Sequence, residues 1–320
     1  SDRWQEKWDN LPQIKNNLSD CLLKSLDIKS KIKTQVETIN SKAYEHYLKA
    51  NYNLEEYIKS SKPQNLKSSI EELKKSIELD GTFLVAQILL GRTYQLGIKT
   101  NLDKRHKWLN KSQEIFEQTL EKAIKLNDML CEGWSYRNLG NIFFIQKNYN
   151  KALKYFQQSL EIALNINDKE GQAHSFHNIG LVHRYESNYE QALILLNKSL
   201  KIRKEIGNQL KIGYELNDIG EVHFKNNNFE DALKFYSKSL KIREKINDCE
   251  GQIRSLQNMA VVYESQMNID KAIELYKYAL KIADNNGIKH LLQYQYFEIA
   301  RIFYFYKSNY KSSIEYHNKS

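Results

Sequence analysis

Apolar and polar positions along the last 190 residues repeat at a period of 40, in frames 131–170, 171–210, 211–250, 251–290 and a shorter 291–320. One column holds small residues: Gly140, Gly180, Gly220, Ala260 and Ala300. An apolar residue precedes each: Leu139, Ile179, Ile219, Met259 and Ile299. Further on come Ala152, Ala192, Ala232 and Ala272, then Phe156, Leu196, Tyr236 and Tyr276. Within a frame, Tyr136, Leu139, Ile142 and Phe143 form one face of a helix. Polar runs such as Lys147-Asn148-Tyr149-Asn150 and Asn226-Asn227-Asn228 end it. A second face runs through Ala152, Leu153, Phe156, Leu160 and Ile162. The spacing predicts two antiparallel helices per repeat, with the small residues letting their axes approach closely.

Two degenerate copies precede these frames. Ala43 to Tyr57 reads as a first helix, and Leu66 to Leu79 as its partner, started by Pro63 and closed by Asp80-Gly81. Leu90-Gly91 and Tyr94 mark another first helix, with Phe116, Leu120, Ala123 and Ile124 on its partner and an insertion around Thr100–His106 between them. The expected organisation is a helical lead-in over 1–40 (Trp4, Trp8, Leu11, Ile14, Leu18, Leu22, Leu26), two degenerate repeats over 41–128, four regular repeats over 129–290 and a partial repeat over 291–320. Because the last helix stops at Ser320 without a polar capping helix, the sequence reads as a fragment of a longer protein.

This pattern resembles the tetratricopeptide repeat (TPR) family: the small residue of the first helix, the alanine opening the second, and the aromatic four residues later all match. Two features depart from it. The period is 40, as in the long-period TPRs of kinesin light chains and bacterial signalling proteins. The family's closing proline is replaced by Asp168-Lys169-Glu170-Gly171 and Asp248-Cys249-Glu250-Gly251. The resemblance implies an all-α, right-handed α-solenoid with first helices lining a concave groove. Ser41 to Lys49 is also similar to the entry into TPR arrays of bacterial class III adenylate/guanylate cyclases and some Ser/Thr kinases.

Composition narrows the function. Only 2 Pro and 12 Gly suit an all-helical array. The three cysteines, Cys21, Cys131 and Cys249, are far apart, which fits a reducing compartment and no disulfide framework or zinc site. A cytoplasmic protein without a membrane span is expected. The net charge of +9 is shared by both halves of the chain, and lysines such as Lys198, Lys201, Lys238 and Lys241 fall on second helices. Nucleic-acid binding wants a concentrated basic stripe, so the charge argues against it.

No Gly-rich phosphate loop, HExxH or GxSxG occurs, so neither a catalytic residue nor a cofactor is expected. His183 and His223 stand where other repeats have Phe143, Tyr263 and Phe303, and read as packed ring positions. His174 and His177 share a helical face but lack a third metal ligand, so no metal is assigned. Carboxylates Glu215, Asp218 and Glu221 lie together on another face.

The candidate site is a set of first-helix columns off the apolar pattern. Asn138, Asn178, Asp218, Asn258 and Glu298 form one; Asn offers a donor and an acceptor and could hold an extended peptide backbone or bond to the neighbouring repeat. Its neighbours are Trp134, His174, Tyr214, Arg254 and Tyr294; Arg137, His177, Asn217, Gln257 and Phe297; and Asn141, Leu181, Glu221, Val261 and Arg301. Aromatic and arginine side chains are the usual anchors of interfaces. Arg137, Asn141 and Asn178 match the carboxylate-clamp TPRs, but Tyr214 and Asp218 occupy positions where that clamp has basic residues, and Asp218 would repel a terminal carboxylate. The expected partner is therefore a protein or extended peptide, with self-association as a further option. The expected role is a non-enzymatic interaction or sensory module of a bacterial signalling protein. The alternative is an intramolecular or dimerisation arm of an attached cyclase or kinase domain.

Overall fold

The computed structural model describes residues 40–60, 62–98, 105–306 and 308–319. The lead-in over 1–39 and the core of the insertion, 99–104, lie outside the described residues. Among the described residues there are fourteen helices and no strand. They are α1 (Ser41–Ser60), α2 (Pro63–Leu79), α3 (Leu84–Gly97), α4 (Arg105–Lys125), α5 (Met129–Ile145), α6 (Tyr149–Asn165) and α7 (Lys169–Tyr185), followed by α8 (Tyr189–Ile206), α9 (Gln209–Lys225), α10 (Phe229–Lys245), α11 (Cys249–Ser265), α12 (Ile269–Asn285), α13 (Lys289–Phe305) and α14 (Tyr310–His317).

First helices start at 129, 169, 209, 249 and 289, and second helices at 149, 189, 229 and 269. A helix therefore begins every 20 residues throughout this stretch, so the period of 40 is a doubled 20. A shared link explains the spacing. A residue in the left-handed region ends each helix: Asn127, Lys147, Asn167, Ser187, Gly207, Asn227, Asn247, Met267 and Gly287. At seven of these links the next residue caps the following helix with its side chain. Asn148, Asn188, Asn228 and Asn268 accept from backbone N–H groups three residues on, opening the second helices. Asp128, Asn208 and Asp248 do the same for first helices. Asp248 of the Asp-Cys-Glu-Gly run thus starts a helix at the junction where the family's proline is missing.

The chain divides into two compact units at Gly171/Gln172, within α7. In the first unit, α1/α2, α3/α4 and α5/α6 pair, and the first helices α3 and α5 also touch directly. Its core gathers Tyr47, Leu54, Leu73, Phe83 and Leu90 at one end, and Leu84, Phe116, Cys131, Trp134 and Leu139 at the other. In the second unit, α9/α10, α11/α12 and α13/α14 pair, with α9 touching α11. Its clusters centre on Leu196 and Ile219, on Tyr236 and Val262, on Ile253 and Ala283, and on Tyr276 and Ile302.

The small-residue column has a direct cause. A Cβ on Gly140 would lie 2.5 Å from the Phe156 ring, and one on Gly220 would lie 2.7 Å from Tyr236. The ring of Phe156 or Tyr236 packs against the first helix at the glycine, and Leu196 does so at Gly180, where a larger residue would push the pair apart. Buried serines add polar staples: Ser76 donates to the Ala43 carbonyl and Ser239 to that of Gly213.

Candidate functional site

Direct contact joins the outward faces of α3 and α5 in the first unit and of α9 and α11 in the second. In the first unit a shallow dimple lies between α1, α3 and α5, its enclosed space only about 10 Å³. Tyr47, Ile88, Leu89 and Trp134 line it together with Arg92 and Arg137, the charged residues of its lining among those described. The walls are packed, Tyr47 being 6% and Trp134 7% exposed, and both arginines are half-buried. Burial pushes the Tyr47 hydroxyl up to about 12, so it is a neutral O–H group at pH 7. Trp134 and Arg137 belong to the sequence-derived set; Tyr47 and Arg92 do not. The register could have found them. Arg92 follows Gly91 as Asn141 follows Gly140, and Tyr47 stands three before Ala50 as Arg137 stands three before Gly140.

The asparagine column does not form an open ladder. Asn138 is 3% exposed and donates to the Trp134 carbonyl one turn back in its own helix. Asn258 donates to Asn217 Oδ1 on the preceding first helix at 3.1 Å, and Asn217 is itself buried. Asp218 lies near His177 Nε2 at 3.8 Å and Arg184 Nη1 at 3.7 Å, and Glu298 accepts from Arg301. Asn141, His174 and Asn178 are half-buried.

The second unit concentrates charge between α7, α8 and α9. Glu215 is fully buried; it receives Arg203 Nε at 2.8 Å and His177 Nδ1 at 3.1 Å. Arg184 donates to Glu221 at 2.6 Å. Burial alone would lower His177, but Glu215 and Asp218 outweigh it and hold the imidazole above its ordinary value. Burial raises the Asp218 carboxyl, against the pull of His177 and Arg184. His177 therefore faces carboxylates within the fold. His223 stacks on Phe235, in the arrangement of Phe143 on Tyr155 and Phe303 on Tyr316.

Beyond that cluster the face opens. Tyr214 is half-buried, with Arg243 4.8 Å and Arg254 5.9 Å from its ring centroid. Arg254 is exposed and forms no ion pair among the described residues, and Tyr294 and Phe297 are 45% and 50% exposed. Sequence reasoning missed Arg203 and Arg243, whose column is otherwise Ala163 and Ala283, and Glu264, which accepts from Arg301 at 2.7 Å and whose column is otherwise Phe144, Arg184, Phe224 and Tyr304.

Helix hairpins stacked so that one face of successive first helices carries aromatic, arginine and amide side chains define a non-catalytic scaffold for protein interactions. The tetratricopeptide repeat model matches residues 107–165, 131–205 and 215–285, and the chain belongs to that family. Solved structures share the all-α solenoid fold. A STAND signal-transduction ATPase with a tetratricopeptide repeat sensor, from Pyrococcus horikoshii, superposes with a TM-score of 0.65 at 18% identity, over 95% of this chain and 49% of that one. The apo form of RapI gives 0.58 at 19% identity, over 87% and 96%. BtubC (BKLC) from P. vanneervenii gives 0.57 at 15% identity, over 70% and 90%. No curated protein matches the chain in sequence. No described helix is long and apolar enough to cross a membrane.

Proposed function

We propose that the chain binds an extended protein segment along its first-helix face, as the cytoplasmic interaction or sensory module of a larger bacterial signalling protein. The observation that carries this reading is the outward row of Arg254, Tyr294 and Phe297, large anchors left uncovered where equivalent helices elsewhere pack theirs. With the amides of Asn138 and Asn258 engaged inside the fold, selectivity falls to Trp134 and Arg137 in the first unit and to His174, Tyr214, Arg254 and Tyr294 in the second. The half-buried Asn141 and Asn178 are assigned to the peptide backbone, one in each unit. The STAND neighbour, whose repeats are described as a sensor, supports the signalling part.

The test is selection of a random nonapeptide display library on the full chain. Enriched peptides should bind the wild type and lose at least tenfold on Arg254→Ala/Tyr294→Ala/Phe297→Ala, with helicity unchanged by circular dichroism. No enrichment, or equal binding by the triple variant, sinks the reading. The apolar end formed by Phe305, Tyr310 and Ile314, 69%, 58% and 60% exposed, favours self-association as a second reading. Light scattering that finds a strict monomer at high concentration removes it.

A further inference from the structure

We infer that Arg254, held over Tyr214 on the face of α9 and α11, receives a glutamate or aspartate side chain of the bound segment, and that Arg243 supports it from inside the fold. This deepens the proposed function and rests on it. The first observation is the pairing of charges along the first-helix face of the second unit. Glu215 has Arg203 and His177, Asp218 has His177 at 3.8 Å and Arg184 at 3.7 Å, Glu221 has Arg184, and Glu264 and Glu298 share Arg301. Arg254 is exposed on the same face and forms no ion pair among the described residues. Its planar fork matches a carboxylate, and it stays charged at any physiological pH.

The second observation is Arg243. Its side chain passes from α10 between α9 and α11, where both first helices carry glycine. A Cβ on Gly213 would lie 3.2 Å from Arg243 Nε, and one on Gly251 would lie 2.5 Å from Nη1. The guanidinium ends 4.8 Å from the Tyr214 ring centroid, and that of Arg254 lies 5.9 Å from the same centroid. Two cations thus converge on one half-buried ring, one inside the fold and one outside. Arg243 is fully buried, and its three guanidinium nitrogens have no hydrogen-bond partner among the described residues. The preceding repeat shows what is missing. There Glu215 meets Arg203, whereas the matching position on α11 is Ser255. Asp248, 3.9 Å away, is held as the cap of α11.

A buried cation without a close counter-ion is poorly screened, so its field reaches the surface at Tyr214. Burial lowers the Arg243 guanidinium, and Arg254 adds to that lowering against the pull of Asp248, so the two arginines act on each other. A carboxylate on Arg254 relieves that repulsion. It bonds to Arg254, answers the field of Arg243 without touching it, and rests its stem on the Tyr214 ring. The repeat that supplies its own acid, Glu215, is closed; the next one takes its acid from the ligand.

The probes are three nonapeptide pools, acetylated and amidated, with a fixed central Glu, Gln or phosphoserine and uncharged residues elsewhere, applied to the full chain. Wild type should retain the Glu pool about tenfold or more over the Gln pool, the scale of one charge-assisted contact. Arg254→Gln should abolish that preference, and Arg254→Lys should restore part of it. Arg243→Met should cut the preference severalfold while holding the Gln pool as wild type does, which a packing defect would not do. Arg137→Gln, in the first unit, should leave the preference intact.

If wild type holds the Glu and Gln pools equally, the groove reading survives and the acid subsite fails. If it holds none of the pools, the groove reading fails and takes the subsite with it. A preference that persists in Arg254→Gln places the acid elsewhere. Arg243→Met weakening both pools alike removes Arg243 from the subsite. Phosphoserine favoured over Glu overturns the carboxylate assignment.

Discussion

Arg203 and Arg243 hold the same position in successive repeats, and both are buried, at 2% and 0% exposure. Their partners differ. Twelve residues after Arg203 stands Glu215, and twelve after Arg243 stands Ser255. Arg203 Nε reaches Glu215 at 2.8 Å, a charge-assisted hydrogen bond. Arg243 has instead Asp248 at 3.9 Å, too far for one, and its Nε, Nη1 and Nη2 lack hydrogen-bond partners among the described residues. Burial lowers the Arg243 guanidinium, as expected of a cation whose lost hydration is poorly replaced.

Replacing each arginine by methionine, which keeps the length of the stem, should therefore give unequal results. Arg203→Met takes the 2.8 Å cationic partner from the fully buried Glu215, and breaking such a pair costs about 3–5 kcal/mol. Arg243→Met removes a cation that gains little from its partner. Methionine can still contact the Tyr214 ring, and Asp248 keeps its cap to the Gly251 N–H. Its stability should stay within about 1 kcal/mol of wild type or rise. Arrays unfold with limited cooperativity, so urea midpoints should be read beside amide hydrogen exchange in α9 and α11.

The Arg203→Met loss should also depend on pH. His177 is the cation that remains beside Glu215, and removing Arg203 takes away a charge that opposes its protonation. Its folded value lies above the ordinary one, near 6.5. Its contribution is therefore fully present below about pH 6.5 and fades as pH rises through the folded value. The penalty should be smaller at about pH 6 than at pH 8. Equal costs for the two methionine variants, or an Arg203→Met penalty flat across that range, would refute the reasoning.

Three further outcomes test the repeat itself. Asn228→Ala removes the cap of α10 and should cost about 1 kcal/mol, read as faster exchange in its first turn. Met267, 70% exposed with φ of 60°, should be improved by about 1 kcal/mol on replacement by glycine, and a lower melting temperature would contradict that. Gly220→Leu should lose about 2–3 kcal/mol against the Tyr236 ring in urea titration, whereas Gly220→Ala should lose about 1, since Ala260 already faces Tyr276 in the same register.

The fold was legible because its cause is repeated. A ring on Phe156, Tyr236 or Phe116 demands a small residue at Gly140, Gly220 or Gly91, and that demand writes a column. The 20-residue link was not seen, although Asn and Asp caps recur at that spacing, because attention to apolar columns passes over polar ones. The candidate site was legible only in part, for a physical reason. On a first helix, a polar residue off the apolar pattern can face solvent or can bridge to the next repeat, and one sequence does not separate these. Asn138 and Asn258 went to the fold, while Arg254 and Tyr294 stayed outside. What divides them is reach. A short amide at an asparagine position meets its own or a neighbouring helix within 3.1 Å, whereas longer or larger side chains one turn earlier extend past that contact. Changes at Asn138 and Asn258 should therefore act on stability, and changes at Arg254 and Tyr294 on binding.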